Sequence, residues 1–252
     1  MKYAFAGNRD IAVKVLDFII SKGYKPDILM VTDESSDEIK KLIQLSDLPN
    51  SKIFVGSPKT NNVENYLQKL NLDYIFGIHY PYIITETLLT MPKVGFLNLH
   101  PAYLPYNRGW HTPSWSILDK TPAGATLHFM SKDLDLGDII HQKKVNIDPN
   151  DTANSLYKKI KSLELEVFIE AFENILKKEF NLIPQNKNEG TSHKKKELFE
   201  ASISKLDLNG MYNLEELMDK LRALTTNNVS EAAYFEKYGK KYRVQVNISK
   251  EE

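Results

Sequence analysis

The chain has 252 residues, no cysteine, 42% hydrophobic residues, and 33 basic against 33 acidic residues. That length suits one large domain or one domain with a small appendix, and the missing thiols exclude disulfides, thiol catalysis and cysteine-based metal sites. Zero net charge offers no overall attraction to nucleic acid or to an anionic membrane, and no apolar run reaches membrane-span length. The opening Met1-Lys2-Tyr3-Ala4-Phe5-Ala6 is too short for a signal peptide and enters a strand directly, so a cytoplasmic chain is expected.

Residues 2–6 predict a first strand that ends at Gly7-Asn8-Arg9-Asp10. Residues 11–22 predict a helix with Ile11, Val15, Leu16 and Ile19 on one face and Gly23 as its stop. Residues 28–31, 52–55 and 74–78 predict three more strands, and 36–45, 63–70 and 84–91 the helices between them. Strands alternating with helices argue for an α/β fold: an open, mostly parallel sheet with helices on both faces. In such a sheet, ligands bind outside the carboxyl ends of the strands, where strand order reverses. Gly7 is not part of a G-x-G-x-x-G, which makes a dinucleotide reading weak.

The stretch from Gly95 to Gln142 carries the chemistry. Phe96-Leu97 leads into Asn98-Leu99-His100; alternation along a strand sends Asn98 and His100 to the same side. Pro101, with no N–H to donate, stops the strand. A loop rich in Pro, Tyr, Asn, Arg, Trp and His follows, suited to a polar ligand with a flat ring. Residues 124–130 predict a buried strand, 133–138 an acidic turn, and Ile139-Ile140 the start of another strand. An amide, an imidazole and the Asp135 carboxylate at neighbouring strand ends can run acyl transfer to an amine. The amide can stabilise the oxyanion of a tetrahedral intermediate, the imidazole can act as base or donor, and the carboxylate can orient the imidazole and relay protons. The plain alternative is that Asn98 and His100 satisfy a strand end and Asp135 makes a turn.

Farther on, residues 152–179 predict a long amphipathic helix with Leu156, Ile160, Leu163, Val167 and Ile175 at helical spacing and Asp151 or Thr152 as its cap. Residues 181–197, with Pro184, Gly190 and Lys194-Lys195-Lys196, read as a linker or loop, the lysines as a solvated face. Asn213 with Glu216 makes a capping box for a helix ending near Leu224, and residues 232–248 read as a hairpin turning at Tyr238-Gly239-Lys240. This last piece is too small to bury a core alone. The expected organisation is a catalytic domain over 1–180, a linker over 181–197 and a small α+β appendage over 198–252.

The pattern N-L-H-P-A-Y-L-P-Y-N-R-G, followed by G-A-T-L-H-F-M-x-x-x-L-D-x-G-D-I-I-x-Q, resembles the core of the 10-formyltetrahydrofolate-dependent formyltransferases, and among them most nearly the sugar N-formyltransferases. The likeness covers residues 1 to about 179 well and the remainder more loosely; the short appendage also resembles that of the sugar enzymes. It implies that Asn98, His100 and Asp135 take the catalytic positions, that 10-formyltetrahydrofolate is the co-substrate with Gly77, His79, Tyr80, Asp133 and Leu134 on its side of the site, and that no metal is needed. A metal site from His100, His111 and Asp135 has no H-E-x-x-H-type spacing to support it. The guanidinium forks of Arg9 and Arg108 suit a pyrophosphate, with a surface salt bridge as the alternative for each. Tyr106 and Trp110 are candidates for lining a sugar pocket, or simply pack the loop; Asn107 and His111 join them as substrate contacts. His79 is of interest more for its backbone than its ring, and His128, mid-strand, reads as a satisfied structural histidine. Tyr234 and Phe235 can stack on a nucleotide base, or anchor the appendage. Arg222 has no assigned role.

The resemblance implies formylation of a dTDP-linked amino-dideoxyhexose, with dTDP-4-amino-4,6-dideoxyglucose favoured, in the synthesis of bacterial surface polysaccharide such as the lipopolysaccharide O-antigen, by a possible homodimer. Rivals are a 3-amino sugar, glycinamide ribonucleotide, methionyl-tRNA, and a non-catalytic ligand-binding module. The Gly-Ser-rich phosphate loop of the purine-pathway enzymes is replaced here by Gly7-Asn8-Arg9-Asp10, and the tRNA enzymes carry a longer, basic C-terminal domain.

Overall fold

The computed structural model describes every residue except Glu34, Asn61 and Glu252. In chain order the elements are β1 (Tyr3–Gly7), α1 (Arg9–Ser21), β2 (Ile28–Val31), α2 (Asp37–Ser46), β3 (Ile53–Val55), α3 (Val63–Leu67), β4 (Tyr74–Ile78), α4 (Glu86–Thr90), β5 (Gly95–His100), β6 (Arg108–Gly109), α5 (Thr112–Leu118), β7 (Ala123–Phe129), β8 (Ile139–Val145) and α6 (Ala153–Lys177). The chain closes with β9 (Ser192–His193), α7 (Ala201–Ser204), α8 (Leu214–Ala223), β10 (Ala233–Lys237) and β11 (Lys240–Val244). They form two compact units, one of residues 1–100, 126–142 and 164–186, the other of 101–125, 143–163 and 187–252.

The main sheet has seven strands in the order β3-β2-β1-β4-β5-β7-β8. β3, β2, β1, β4 and β5 run parallel, and β7 is antiparallel to β5. β1, β2 and β4 are buried along their whole length, as their unbroken apolar runs require of strands covered on both faces. In the first unit, Ala4, Ala6, Ile28, Met30, Ile75 and Phe96 meet Val63 and Leu67 of α3 and Leu88 of α4. The opposite alternation sends Tyr3 and Phe76 edge-to-face against each other at 5.3 Å, and Phe76 against Phe168 of α6 at 5.7 Å. Phe168 and Phe172 in turn receive Phe18 of α1. The fully buried Tyr74 hydroxyl donates to the Ile175 carbonyl at 2.8 Å, so a polar atom in this aromatic layer is satisfied.

Local signals set the helix ends. Asn8 caps α1 by accepting from the Arg9 amide, and Ser36 caps α2 through the Ile39 amide. Gly23, at φ +88°, supplies the left-handed residue beyond α1. After α6 the first unit ends in a short antiparallel bridge, Ile183 exchanging backbone hydrogen bonds with Ile139 at 3.0 and 2.9 Å.

In the second unit β6 pairs in parallel with β9, Arg108 opposite Ser192 and Gly109 opposite His193. Its cores are small: Ile117, Ala123, Leu156 and Ile160 with Ala223 of α8, and Trp115, Leu198 and Leu224 with Ala233 of the hairpin. Asn213 caps α8 through the amides of Glu215 and Glu216. Arg222 now has a role: Nη1 donates to the carbonyls of Asp148, Pro149 and Asp151 while Nε bonds Asp219, so one side chain tethers α8 to the turn before α6. The hairpin of β10 and β11 turns at Tyr238 and Gly239, both at positive φ, the geometry of a two-residue type I′ turn.

Candidate active site

Asn98 and His100 lie on β5, two residues apart and therefore on one face. The antiparallel neighbour β7 sets His128 opposite Asn98 and Thr126 opposite His100. Cross-strand partners share a face, so His128 meets Asn98, its Nε2 3.1 Å from Asn98 Nδ2. The other ring nitrogen, Nδ1, lies 2.8 Å from the Phe129 carbonyl, which can only accept. Nδ1 therefore carries the proton and Nε2 accepts from Asn98. One amide hydrogen of Asn98 is spent on His128. The other faces Oδ1 of Asp135 at 3.4 Å.

Asp135 joins from the 133–138 turn. Its Oδ2 is 3.6 Å from His100 Nε2, and its Oδ1 is 3.7 Å from His128 Nε2. His100, His128 and Asp135 are all buried, and Asn98 is half-buried. Desolvation above all, helped by His100 and opposed by Asp135 and the Phe129 carbonyl, pushes the His128 imidazole down to about 4. His128 is thus a neutral acceptor that fixes the Asn98 amide. Read alone it is an ordinary strand histidine; the signal that would have found it is alternation, Thr126 and His128 facing one way and Leu127 and Phe129 the other.

The other candidates of this unit lie at strand ends or in turns. Gly77 pairs with Asn98, and an added Cβ there would stand 2.7 Å from the Phe96 ring, so a side chain has no room beside Asn98. His79 follows β4 in the left-handed region (φ +53°), its Nε2 2.7 Å from Oε1 of the wholly buried Glu164. Its ring is committed to that pair. Tyr80 donates to the Gly56 carbonyl, and burial raises its pKa. Asp133 is exposed, its carbonyl accepting from Ser131 Oγ, and Leu134 is an exposed apolar side chain at the tip of the same turn. Arg9 is exposed at the start of α1, with φ +69°.

In the second unit the loop candidates divide. Asn107 is fully buried, its Nδ2 donating to Ser116 Oγ and Thr121 Oγ1 at 2.9 Å each, its Oδ1 accepting from Thr191 Oγ1. Its side-chain amide is thus engaged inside the loop. Arg108 is likewise buried, with Nη1 donating to the Glu189 carbonyl. His111 turns edge-on to Phe199, and burial lowers its pKa. Tyr106 is half-buried, and Trp110 is partly exposed beneath the Lys195 ammonium at 4.7 Å. Tyr234 has Lys241 and Arg243 against its ring, while Phe235 stacks on Tyr242 at 5.3 Å. Among the described residues no cluster of three or more His, Asp or Glu side chains is arranged to hold a metal ion.

Residues 16–172 match the formyl transferase family model, and residues 199–250 match the N-formyltransferase dimerization C-terminal domain. The chain is 34% identical over 191 residues to the bifunctional polymyxin resistance protein ArnA of Wigglesworthia glossinidia brevipalpis, covering 73% of this chain and 29% of that protein. It is 27% identical over 234 residues to a methionyl-tRNA formyltransferase of Malacoplasma penetrans, 89% and 71% of the two chains. It is 33% identical over 158 residues to a dTDP-4-amino-4,6-dideoxyglucose formyltransferase of Mycobacterium tuberculosis, 63% and 66% of the two chains. Among solved structures, a 4-N formyltransferase from Francisella tularensis superposes with a TM-score of 0.78 at 27% identity over 99% of this chain and 98% of that one.

Proposed function

The chain belongs to the formyl transferase family, and on that footing we propose that it moves the formyl group of 10-formyltetrahydrofolate to the amine of a nucleotide-linked amino sugar. The observation that carries the reading is the Asn98 amide, latched at one hydrogen by a neutral His128 and flanked by Asp135. Its second hydrogen rests on Asp135 Oδ1 at 3.4 Å, a long contact it can exchange for an oxygen that gains charge. The co-substrate supplies the electrophilic formyl carbon. As the C–N bond to the sugar forms, Asn98 supports the formyl oxygen and His100 takes the proton leaving the amine. Asp135, 3.6 Å from His100 Nε2, stabilises that imidazolium and returns the proton toward the departing folate nitrogen. A bulk-exposed carboxylate could not do this as well, since burial strengthens each of these interactions.

The sugar reading over glycinamide ribonucleotide or tRNA is supported by the C-terminal family match and by the 4-N formyltransferase likeness, together with neutral charge. dTDP-4-amino-4,6-dideoxyglucose is the favoured substrate, supported by the mycobacterial relative. Arg9 is the proposed cation for a pyrophosphate; Tyr106, Trp110 and Tyr234 remain proposed ring surfaces. Gly77, His79, Tyr80, Asp133 and Leu134 are proposed on the folate side, His79 through its backbone. A homodimer is proposed through residues 199–250. A surface-polysaccharide role and a cytoplasmic setting, with no membrane or nucleic-acid partner, follow from the substrate class. The test is a panel of 10-formyltetrahydrofolate with dTDP- and UDP-linked 3-amino and 4-amino sugars and glycinamide ribonucleotide, read by product mass. A formyl gain on glycinamide ribonucleotide alone overturns the sugar reading; a gain on a 3-amino sugar alone keeps the class and corrects the position.

A further inference from the structure

Three of the four polar groups at the site hang on strands, where sheet pairing holds them. Asp135 does not. It sits in a turn at φ +50°, a left-handed conformation uncommon outside glycine, which Asp tolerates better than most and which two contacts here impose. One imposition comes from the sheet side: Gly137 lies so near β7 that an added Cβ would stand 1.8 Å from the Phe129 carbonyl oxygen. The other comes from Gln185. Its Nε2 donates to the Asp135 carbonyl at 2.9 Å and to the Gly137 carbonyl at 2.7 Å, so one side-chain amide spans the turn with its two hydrogens. Gln185 is half-buried in a stretch, 181–186, that is otherwise exposed. Two residues earlier, Ile183 and Ile139 exchange backbone hydrogen bonds, which fixes where Gln185 begins. The segment after α6 is thereby zipped to the strand after the turn and reaches back over the turn itself.

We propose that Gln185 is a positioning residue for Asp135, its side-chain amide bridging the carbonyls of Asp135 and Gly137 so that the carboxylate is held toward Asn98 and His100. The bland reading is that it only firms a surface turn. The two differ in what else they move, because a positioning residue acts through Asp135 and has nothing to do once Asp135 has lost its charge. The activity half of the test rests on the formyl-transfer reading; the exchange half does not.

Gln185→Ala removes the bridge; Gln185→Glu keeps the shape but replaces the donor by an acceptor facing two carbonyls, and stands in should the alanine variant fold poorly. Both should lower kcat about 5- to 30-fold, the range for losing one or two neutral hydrogen bonds that hold a reacting group, with KM for the amine within about twofold. Added to Asp135→Asn, either should lower kcat less than about twofold further. Independently of turnover, amide hydrogen exchange across residues 133–138 should rise at least about tenfold in both variants while exchange in β1 and β4 stays put. Unchanged kcat, or an equal fall in the Asp135→Asn background, overturns the positioning role. Unchanged exchange in the turn overturns the clamp itself. If the wild-type protein forms no formylated product from any acceptor, the functional reading fails while the exchange measurement still decides the clamp.

Discussion

Replacing His128 with glutamine isolates one titration from all the others in the protein. The wild-type imidazole is wholly buried and its pKa is pushed down to about 4, whereas an unfolded histidine titrates near pH ~6.5. Between those values the unfolded chain binds a proton that the folded chain refuses, so stability rises with pH across the window and is lost as pH falls through it. At pH ~7.5 both states are neutral at this residue and its contribution vanishes. By pH ~5 it amounts to about 2 kcal/mol, and near pH ~4 it levels off at about 3 kcal/mol. Urea unfolding at pH ~7.5 and ~5 on both proteins gives the difference directly. Wild type should lose about 2 kcal/mol more than His128→Gln, because every other titrating group is common to the two. Equal losses would mean that the folded protein accepts the proton, and the neutral latch on Asn98 would be wrong. The same protonation has a local consequence: an N–H at Nε2 would face the Asn98 amide donor, and the amide would have to turn away.

Further outcomes follow from the same geometry. Asn98→Ala and His100→Ala should each lower turnover by roughly two orders of magnitude or more, and Asp135→Asn comparably, with the fold intact by circular dichroism; near-normal turnover removes that residue from the mechanism. Asn107→Ala should cost about 1–3 kcal/mol in chemical denaturation, because it strands the hydroxyls of Ser116, Thr121 and Thr191. A variant as stable as wild type but with a raised KM for the sugar would make Asn107 a substrate contact. Gly137→Ala must push the turn off β7, so a drop in melting temperature with a larger fall in kcat is expected; a neutral substitution would show that the turn has room to move.

Much of the first unit was legible. The unbroken apolar runs of β2 and β4 predicted both strands at their observed limits; in the second unit, Tyr238-Gly239 announced the hairpin turn. The placement of Asn98, His100 and Asp135 was legible: alternation puts the first two on one face of β5, and the acidic turn brings the third beside them. What local patterns do not encode is which strand lies beside which. β7 pairs antiparallel with β5, and without that pairing His128 has no neighbour to act upon. The same blindness hid the partners of Asn107 and Arg108, since Thr191 and Glu189 lie some eighty residues away in sequence. α5 was hidden because a seven-residue helix opening at Thr112-Pro113 looks like more loop.

The pairing of β5 with β7 also limits how this chain can vary in length. Strand side chains alternate with a period of two, so removing or adding one residue between Ala123 and His128 would turn Leu127 or Phe129 toward Asn98 and drive the imidazole to the opposite face. Composition would scarcely change, the sheet could still form, and Asp135 could still swing into place; the amide would nonetheless have lost its acceptor. Substitutions in this strand can be graded by size and polarity, but a single-codon deletion there is all or nothing. A library built on this protein should therefore confine itself to substitutions in β7 and keep insertions and deletions out of that strand.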